Sequence, residues 1–261
     1  MELLSGLITF IAGLWAGTIN AVVGSGTLVT FPVLIALGIT PVVASMSNAM
    51  GLVAGAAAGA WGYRRELAGR GRQLLQLLPA SLLGGITGAW LLLHLPEKVF
   101  HYVAPVLLVL ALLMVMFQPR LQAWVRRREE NPEHAIKDKN HGVLLVVLVY
   151  LAGVYGGYFV AAQGILLVGI LGVFMTGTIQ NANAMKNFLV LGVNMVAAVS
   201  YMLFAFDRIN WIVVALIAVS STIGGLVGSK VGRRLPPAVL RGVIFVLGLV
   251  ALGFMVANLL K

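Results

Sequence analysis

Long apolar stretches separated by short charged connections constrain this chain more than any other feature of its sequence. They include residues 74–93, 102–117, 142–176 and 211–229. A transmembrane helix needs about 20 mostly apolar residues, whereas a transmembrane β-barrel would show alternating segments of about 10 residues. Apolar residues make up 60% of the 261 and charged residues only 10%, far from the composition of soluble domains. The sequence therefore predicts an all-α polytopic membrane protein.

The chain also contains an internal repeat. A shift of 140 residues superposes Gly24 on Gly164 and the segment GGITG (84–88) on GGLVG (224–228). Between these blocks a shift of 139 aligns Asn48 with Asn187. A nearly constant offset at both ends favours a duplication over chance matches among common Gly, Leu and Val residues. The predicted halves are residues 1–118 and 141–261, joined by the charged segment 119–140.

The positive charges predict how the halves are oriented. Lys and Arg cluster in segments 64–72, 119–140 and 230–241, whereas turns 94–98 and 207–208 carry little charge. Cytoplasmic loops carry the excess of Lys and Arg, so the clusters are predicted inside and the turns outside. Under the repeat, loop 64–72 corresponds to 204–210 and turn 94–98 to 234–238, which places equivalent loops on opposite sides. This predicts two inverted-topology repeats, as in many secondary transporters.

The predicted sidedness restricts the number of helices. Segment 141–206 begins inside and ends outside, yet its length of about 65 residues exceeds one span. It therefore makes either three passes or one pass plus a re-entrant hairpin, and segment 1–63 does the same with the N-terminus outside. We expect about five helical pieces per half and 8–10 helices in total, some broken or re-entrant. Because no basic residue precedes the first apolar stretch, this stretch is not expected to be a cleaved signal peptide.

Two corresponding interruptions in apolar segments indicate a binding site. Gly24, Ser25 and Gly26 interrupt the first half, and Gln163 and Gly164 interrupt the second at the aligned place. Such interruptions are tolerated at membrane depth where they are buried in protein or line a cavity, and in inverted repeats they mark the central site. Converging helix N-termini would favour an anion. The alternative is that Gly24 and Gly164 only let helices pack closely. For GGITG and GGLVG, close helix packing is our preferred interpretation.

Lys186 is a cation within an apolar span. Burying an ammonium costs at least ~2.5–3.5 kcal/mol, and the spans hold no carboxylate to pair with it. Its candidate partners are backbone carbonyls, amide oxygens or a bound anion; alternatively, it reaches the membrane interface. Asn183, Lys186 and Asn187 share one helix face, and the aligned face of the first half carries Ser47 and Asn48. Hydroxyls, amides and one lysine suit a small oxyanion better than a metal cation or an amine.

Other classes of function lack the residues that they need. The chain has no cysteine, which excludes disulfides and thiolate metal sites. The four histidines are scattered over span ends and the linker without metal-binding spacing. We therefore expect no enzyme activity, no cofactor and no metal. The basic loops are interpreted as topology signals and lipid contacts, with no role in nucleic-acid binding.

Two stretches resemble a known family. AGTINAVVGSGTLVTFPVLIALGITPVVASMSNAMGLVAGAAAGAWGYRREL (16–67) is similar to the first half of the TauE/SafE sulfite exporter family, including its YfcA-like members. GVYGGYFVAAQGILLVGILG (153–172), followed by NANAMKN (181–187) and DRINW (207–211), resembles its second half. The resemblance implies a permease of the bacterial inner membrane for sulfite, organosulfonates or related small anions. Ser25, Thr27 and Gln163 depart from the glycine-rich family motifs, which leaves the particular anion open.

The predicted function is therefore transport, most simply export, of a small oxyanion that binds at midmembrane between the repeats. An inside-negative potential favours the exit of an anion by about 2.3 kcal/mol per charge per 100 mV. The alternatives are an anion channel and an uptake carrier for another small organic anion. Membrane lipids are the other expected partners, and the sequence leaves a homo-oligomer open.

Overall fold

The structure, a computed structural model, describes residues 3–130, 141–175, 178–230 and 237–259. Within these ranges the chain forms ten α-helices. They are α1 (Leu3–Val22), α2 (Thr27–Ala36), α3 (Pro41–Gly62), α4 (Gly71–His94), α5 (Glu97–Glu130), α6 (His141–Tyr158), α7 (Gln163–Phe174), α8 (Ile179–Phe204), α9 (Trp211–Lys230) and α10 (Pro237–Leu259). Short 3-10 turns, Arg64–Leu67 and Phe206–Arg208, follow α3 and α8. The prediction of an all-α protein is confirmed.

The lengths of the helices separate spans from shorter pieces. Six of the described helices, α1, α3, α4, α5, α8 and α9, are long and apolar enough to cross a membrane. The helices α2 and α7 have only 10 and 12 residues, which is too short for a bilayer core of about 30 Å at about 1.5 Å per residue. Helix α2 begins directly after the first predicted interruption, and α7 begins at the second, with Gln163 as its first residue. The chain is a multi-pass membrane protein with two short helices at equivalent places.

Local sequence explains where two of the long helices begin. Pro41 opens α3 after an extended Thr40, and the fixed φ of proline suits the first helical turn. At α8 the Thr178 hydroxyl accepts a hydrogen bond from the Asn181 amide, while the Asn181 side chain accepts one from the Thr178 amide at 2.9 Å. This reciprocal cap satisfies amides that have no partner within the helix. Asn181, one of the amides in the polar run 177–187, therefore starts the helix.

The two halves pack through matched helix pairs. The most extensive contacts join α1 to α9 and α4 to α6, which are equivalent pairs when the halves are exchanged. A Cβ added to Gly84 would lie 2.9 Å from the Val154 amide nitrogen, and one added to Gly224 would lie 3.0 Å from the Leu14 carbonyl carbon. These contacts are related by the same shift of 140 residues. GGITG and GGLVG thus serve close helix packing, as predicted.

The described part of the first half ends in a longer helix than expected. Helix α5 continues to Glu130 through Pro119, so residues 119–130 of the predicted linker are helical. Residues 131–140 lie outside the described ranges, as do residues 231–236 of the third basic cluster. The boundaries of the two repeats stay a prediction.

Contacts between the turns bear on sidedness. Arg208 pairs with Glu97, which joins turns 207–208 and 94–98, both predicted outside. The side-chain amide of Asn181 donates to the backbone carbonyl of Glu66 at 2.6 Å. This bond joins the start of α8 to the basic loop that is predicted inside. The first contact connects two turns that the charge pattern assigns to the same face, and the second places the start of α8 beside loop 64–72. The inverted orientation of the halves stays a prediction that labelling can test.

We expect single cysteines at positions 72 and 207 to react from opposite sides of the membrane. The natural chain has no cysteine, so Arg72→Cys and Asp207→Cys, both at exposed positions, can be made without removing other thiols. An impermeant maleimide on intact cells should label position 207, and position 72 only after permeabilisation. Lys98→Cys is the matched control and should behave like position 207. Labelling of positions 72 and 207 from one side would contradict the inverted repeat.

Candidate functional site

The first interruption leaves the end of α1 without some of its helical hydrogen bonds. The amides of Val23 and Gly24 both donate to the Ile19 carbonyl, at 2.7 and 3.2 Å. Gly24 has a φ of +83°, a left-handed conformation that glycine adopts without strain. The chain then folds back, because a Cβ on Gly26 would lie 2.8 Å from the Asn20 Cβ. The carbonyls at the end of α1 therefore need donors from elsewhere.

Two side chains of α8, Lys186 and Asn187, supply those donors. The Lys186 ammonium donates to the carbonyls of Asn20 and Ala21, at 3.3 and 3.4 Å. The Asn187 side chain also donates to the Ala21 carbonyl, at 3.4 Å. The carboxyl end of a helix carries a partial negative charge that favours a cation. Among the partners considered for Lys186, backbone carbonyls are those that the structure provides.

Lys186 does not reach the membrane interface. Its side chain is fully buried, with 0% of its surface exposed. A Cβ on Gly24 would lie 3.2 Å from the Lys186 Cδ, so the aliphatic part of the lysine passes beside the first interruption. The alternative that this residue extends to the lipid headgroups is wrong. The cation lies inside the helical assembly, next to the broken end of α1.

The second interruption contacts the first directly. The Gly164 amide donates to the Gly24 carbonyl at 3.1 Å. A Cβ on Gly24 would lie 2.7 Å from the Gly164 Cα, which is closer than any real side chain tolerates. Val160 and Ala162, with φ of 66° and 60°, turn the chain into the start of α7. The two aligned breaks therefore meet, beside the aliphatic part of the Lys186 side chain.

Gln163, the first residue of α7, is buried with its amide unpaired. Its exposed fraction is 1%, and within the described structure neither Oε1 nor Nε2 has a hydrogen-bond partner. The amide lies against Gly156 of α6. The contact between the breaks at Gly24 and Gly164 is called the junction below. The Ser25 hydroxyl, which follows Gly24 in the first break, is also buried and unpaired. Buried polar groups are nearly always paired in native proteins, so unpaired ones beside a helix N-terminus are candidates for binding a ligand or water.

Other predicted site residues are engaged in contacts between helices. The Asn48 amide accepts from Thr30 and donates to the Thr27 hydroxyl at 3.1 Å, which ties α3 to α2. The Ser47 hydroxyl accepts from the Asn210 amide at 3.0 Å, at the start of α9. Both side chains thus have partners within the protein, and their roles as ligands stay predictions. Asn183 is buried on the same face of α8 as Lys186.

Sequence reasoning missed three participants. Gln118 of α5 is buried and donates to the Val23 carbonyl at 3.5 Å. It was detectable as an amide at the end of an apolar stretch. Thr27 and Thr30 hold Asn48, but hydroxyls in short helices carry no signal of their partner. Further along α8, Asn194 is 1% exposed and both polar atoms of its amide lack a partner among the described residues.

The junction combines groups that suit a small anion. The Lys186 side chain passes beside the break at Gly24, Gly164 of α7 contacts the same break, and α7 begins with the unpaired Gln163. Helix N-termini attract negative charge through their free amides and dipole. Across the described ranges, His, Cys, Asp and Glu form no group of three or more that could hold a metal ion.

Comparison with known proteins identifies relatives across most of the chain. Residues 9–255 match the family model described as "Sulfite exporter TauE/SafE". The chain is 27% identical to the probable membrane transporter protein ORF9 of Sinorhizobium sp. The aligned region of 222 residues covers 85% of this chain and 80% of that relative. It is also 27% identical to the probable membrane transporter protein YfcA of Escherichia coli K12, over 62% of this chain and 56% of that protein.

A third relative has a similar description. The probable membrane transporter protein of Haemophilus influenzae is 26% identical over 60% of this chain and 58% of its own length. No solved structure matches the chain. Since the family model covers nearly the whole sequence and the helical architecture fits a multi-pass membrane protein, the chain belongs to the TauE/SafE sulfite exporter family of membrane transporters.

Proposed function

We propose that this transporter carries a small oxyanion, such as sulfite or an organosulfonate, across the bacterial inner membrane, and that the anion binds where the two helix breaks meet. The observation that carries the proposal is the fully buried Lys186 beside the N-terminus of α7. No Asp or Glu occurs in the segment of α8 around it. The carbonyls at the end of α1 offset the charge of the Lys186 ammonium only through their partial charges. A bound anion would neutralise it fully.

The binding groups proposed here are a subset of those at the junction. Lys186 supplies the charge, Asn187 and Gln163 supply amide donors, and Gly24 and Gly164 allow the two backbones to approach. Ser25 is the nearby unpaired hydroxyl. Amides and hydroxyls can donate to sulfonate or sulfite oxygens without adding charge, which makes the site selective for a small anion of low charge.

Access to this site requires the two halves to move. Gly24, Gly164 and the side chain of Lys186 are buried, and the breaks touch through a backbone hydrogen bond. An anion must separate them or enter beside them. Movement of one repeat against the other around a fixed site is the usual way in which inverted repeats alternate access. The proposed direction is export, because the inside-negative potential favours the exit of an anion.

Counterflow in proteoliposomes tests the proposal. Vesicles loaded with unlabelled sulfite should accumulate labelled sulfite transiently above equilibrium, because a carrier exchanges substrate across the membrane. Sulfate, sulfoacetate, taurine and short carboxylates, each added outside, rank the substrates by competition. Flux without counterflow or saturation would indicate a channel. Failure of every anion to move or compete would overturn the proposal.

We expect Gln163→Ala to change substrate preference more than stability. The substitution removes two buried polar atoms that have no partner, so the loss of packing is offset by the relief of a desolvation cost of about 1–3 kcal/mol. The ratio of competition constants between sulfite and sulfoacetate should shift by up to about tenfold, the effect of one hydrogen bond. Ser220→Ala is a suitable control, because that hydroxyl bonds only its own helix. Loss of folded protein without a change in preference would favour a purely packing role for Gln163.

A further inference from the structure

The two halves differ in how they cover their short helices. Eight of the ten residues of α2 are buried, but only seven of the twelve of α7. Helix α10 packs extensively on α2, whereas its counterpart α5 contacts α7 less. A repeat predicts equal coverage. A groove lies between α5 and α7, where the two helices make this smaller contact.

The groove is apolar and open to the outside of the helical assembly. Its volume is about 500 Å³. Leu110, Leu113, Phe117 and Leu121 line it from one face of α5, and Gly169 and Val173 from α7. Leu113 and Phe117 are 43% and 46% exposed. Since the surrounding solvent at these helices is hydrocarbon, the groove presents its apolar wall to lipid chains.

The length of the groove matches one leaflet of a bilayer. From Leu110 to Leu121 the helix rises about 16 Å at about 1.5 Å per residue, and half of the hydrocarbon core is about 15 Å. Gly169 lets α7 lie close to α5 at the Leu121 end of the groove, because a Cβ there would lie 2.8 Å from the Leu121 Cδ2. An extended acyl chain fits a channel of this length and polarity.

A cation marks one end of the groove. The Arg120 guanidinium lies over the Phe117 ring, 5.4 Å from its centroid, and Arg120 is exposed. By the predicted sidedness, this end lies at the cytoplasmic face. A negative headgroup placed there would meet positive charge while its chain occupies the groove.

We propose that the α5–α7 groove binds an anionic phospholipid of the cytoplasmic leaflet, with one acyl chain along Leu110–Leu121 and the phosphate at Arg120. The groove reaches Ile165 and Leu166, which follow the break at Gly164, but the proposed interaction does not depend on the transported anion. Each basic residue near a membrane surface attracts anionic lipid by about 1 kcal/mol. One arginine therefore predicts roughly fivefold preference for an anionic over a zwitterionic lipid with the same chains.

Native mass spectrometry of the purified full chain tests this proposal. The protein is equilibrated in detergent with equal amounts of phosphatidylglycerol and phosphatidylcholine that have identical acyl chains. We expect phosphatidylglycerol adducts to exceed phosphatidylcholine adducts about fivefold. Arg120→Gln should bring the ratio close to one, and Gly169→Leu should reduce adducts of both lipids by about tenfold, because the new side chain fills the groove.

Matched controls separate these effects from general ones. Arg65→Gln removes an exposed arginine of another basic loop, and Gly253→Leu adds the same side chain where nothing lies within 4 Å. Both should retain wild-type adducts. If Gly169→Leu does not fold, Leu113→Trp fills the groove from its exposed edge. Equal adducts of the two lipids in the wild type, or a Gly169→Leu variant that behaves like Gly253→Leu, would overturn the proposal. A two-chain species without lipid would overturn it in favour of a second copy at this face.

Discussion

Replacing Lys186 with methionine is expected to lower the affinity for the transported anion about a hundredfold while the protein stays folded. Truncating one partner of a buried charge pair costs about 2–5 kcal/mol, and about 2.7 kcal/mol corresponds to a hundredfold change in affinity. Isothermal titration of the purified protein with sulfite, or with the anion that counterflow selects, measures this change.

The effect of Lys186→Met on stability should be small because two terms oppose each other. The Asn20 carbonyl loses the Lys186 donor, whereas the Ala21 carbonyl keeps Asn187. An unpaired carbonyl costs about 1–3 kcal/mol, but an ammonium at membrane depth costs a similar amount. Lys186→Arg keeps the charge with a larger planar group, so we expect an intermediate loss of affinity.

Lys230→Met provides the control for removal of a lysine. Lys230 lies exposed at the end of α9, and its loss should leave binding unchanged. If Lys186→Met binds every tested anion as the wild type does, the ammonium serves only to cap α1. The anion site would then lie elsewhere, although the family assignment would stand.

Replacing Gly24 with alanine is expected to destabilise the protein by about 2–5 kcal/mol. Two costs add at this position. The left-handed φ of +83° costs an alanine about 1–2 kcal/mol, and its Cβ would lie 2.7 and 2.9 Å from backbone atoms of Gly164. Backbone atoms cannot move aside as the end of a side chain can, so overpacking adds about 1–3 kcal/mol.

Gly38 allows the two costs to be measured separately. It has the same φ of +83°, but a Cβ there would meet nothing within 4 Å. Gly38→Ala should therefore cost only the conformational term of about 1–2 kcal/mol. Reversible denaturant unfolding in detergent micelles gives both values. Equal losses at positions 24 and 38 would show that the breaks do not pack as closely as described.

The sequence was sufficient to predict the class of protein and the location of the breaks. Bilayer thickness imposes a minimum length on apolar segments, and this signal is local. The interruptions at Gly24 and Gly164 were visible because glycine and polar residues stand out in apolar spans and occur at one constant offset. Lys186 was visible for the same reason. A buried cation in a membrane span is expensive enough to require a function or a partner.

The hydrogen-bond partners of these residues could not be predicted from local sequence patterns. Backbone carbonyls occur at every position, so nothing in the sequence indicates that those of Asn20 and Ala21 accept from Lys186. Asn48 aligns with Asn187 by sequence, yet its amide bridges to Thr27 and Thr30, while Asn187 donates to the end of α1. Two equivalent amides thus have different partners, because the helices around them differ.

The sequence by itself determined that this chain spans a membrane with broken helices at two equivalent places, because hydrocarbon restricts both length and polarity. The tertiary structure decided that the breaks touch, that the cation caps a helix end, and that α5 leaves a groove beside α7. Each of these depends on how distant helices approach one another, and that distance is set by packing over the whole molecule.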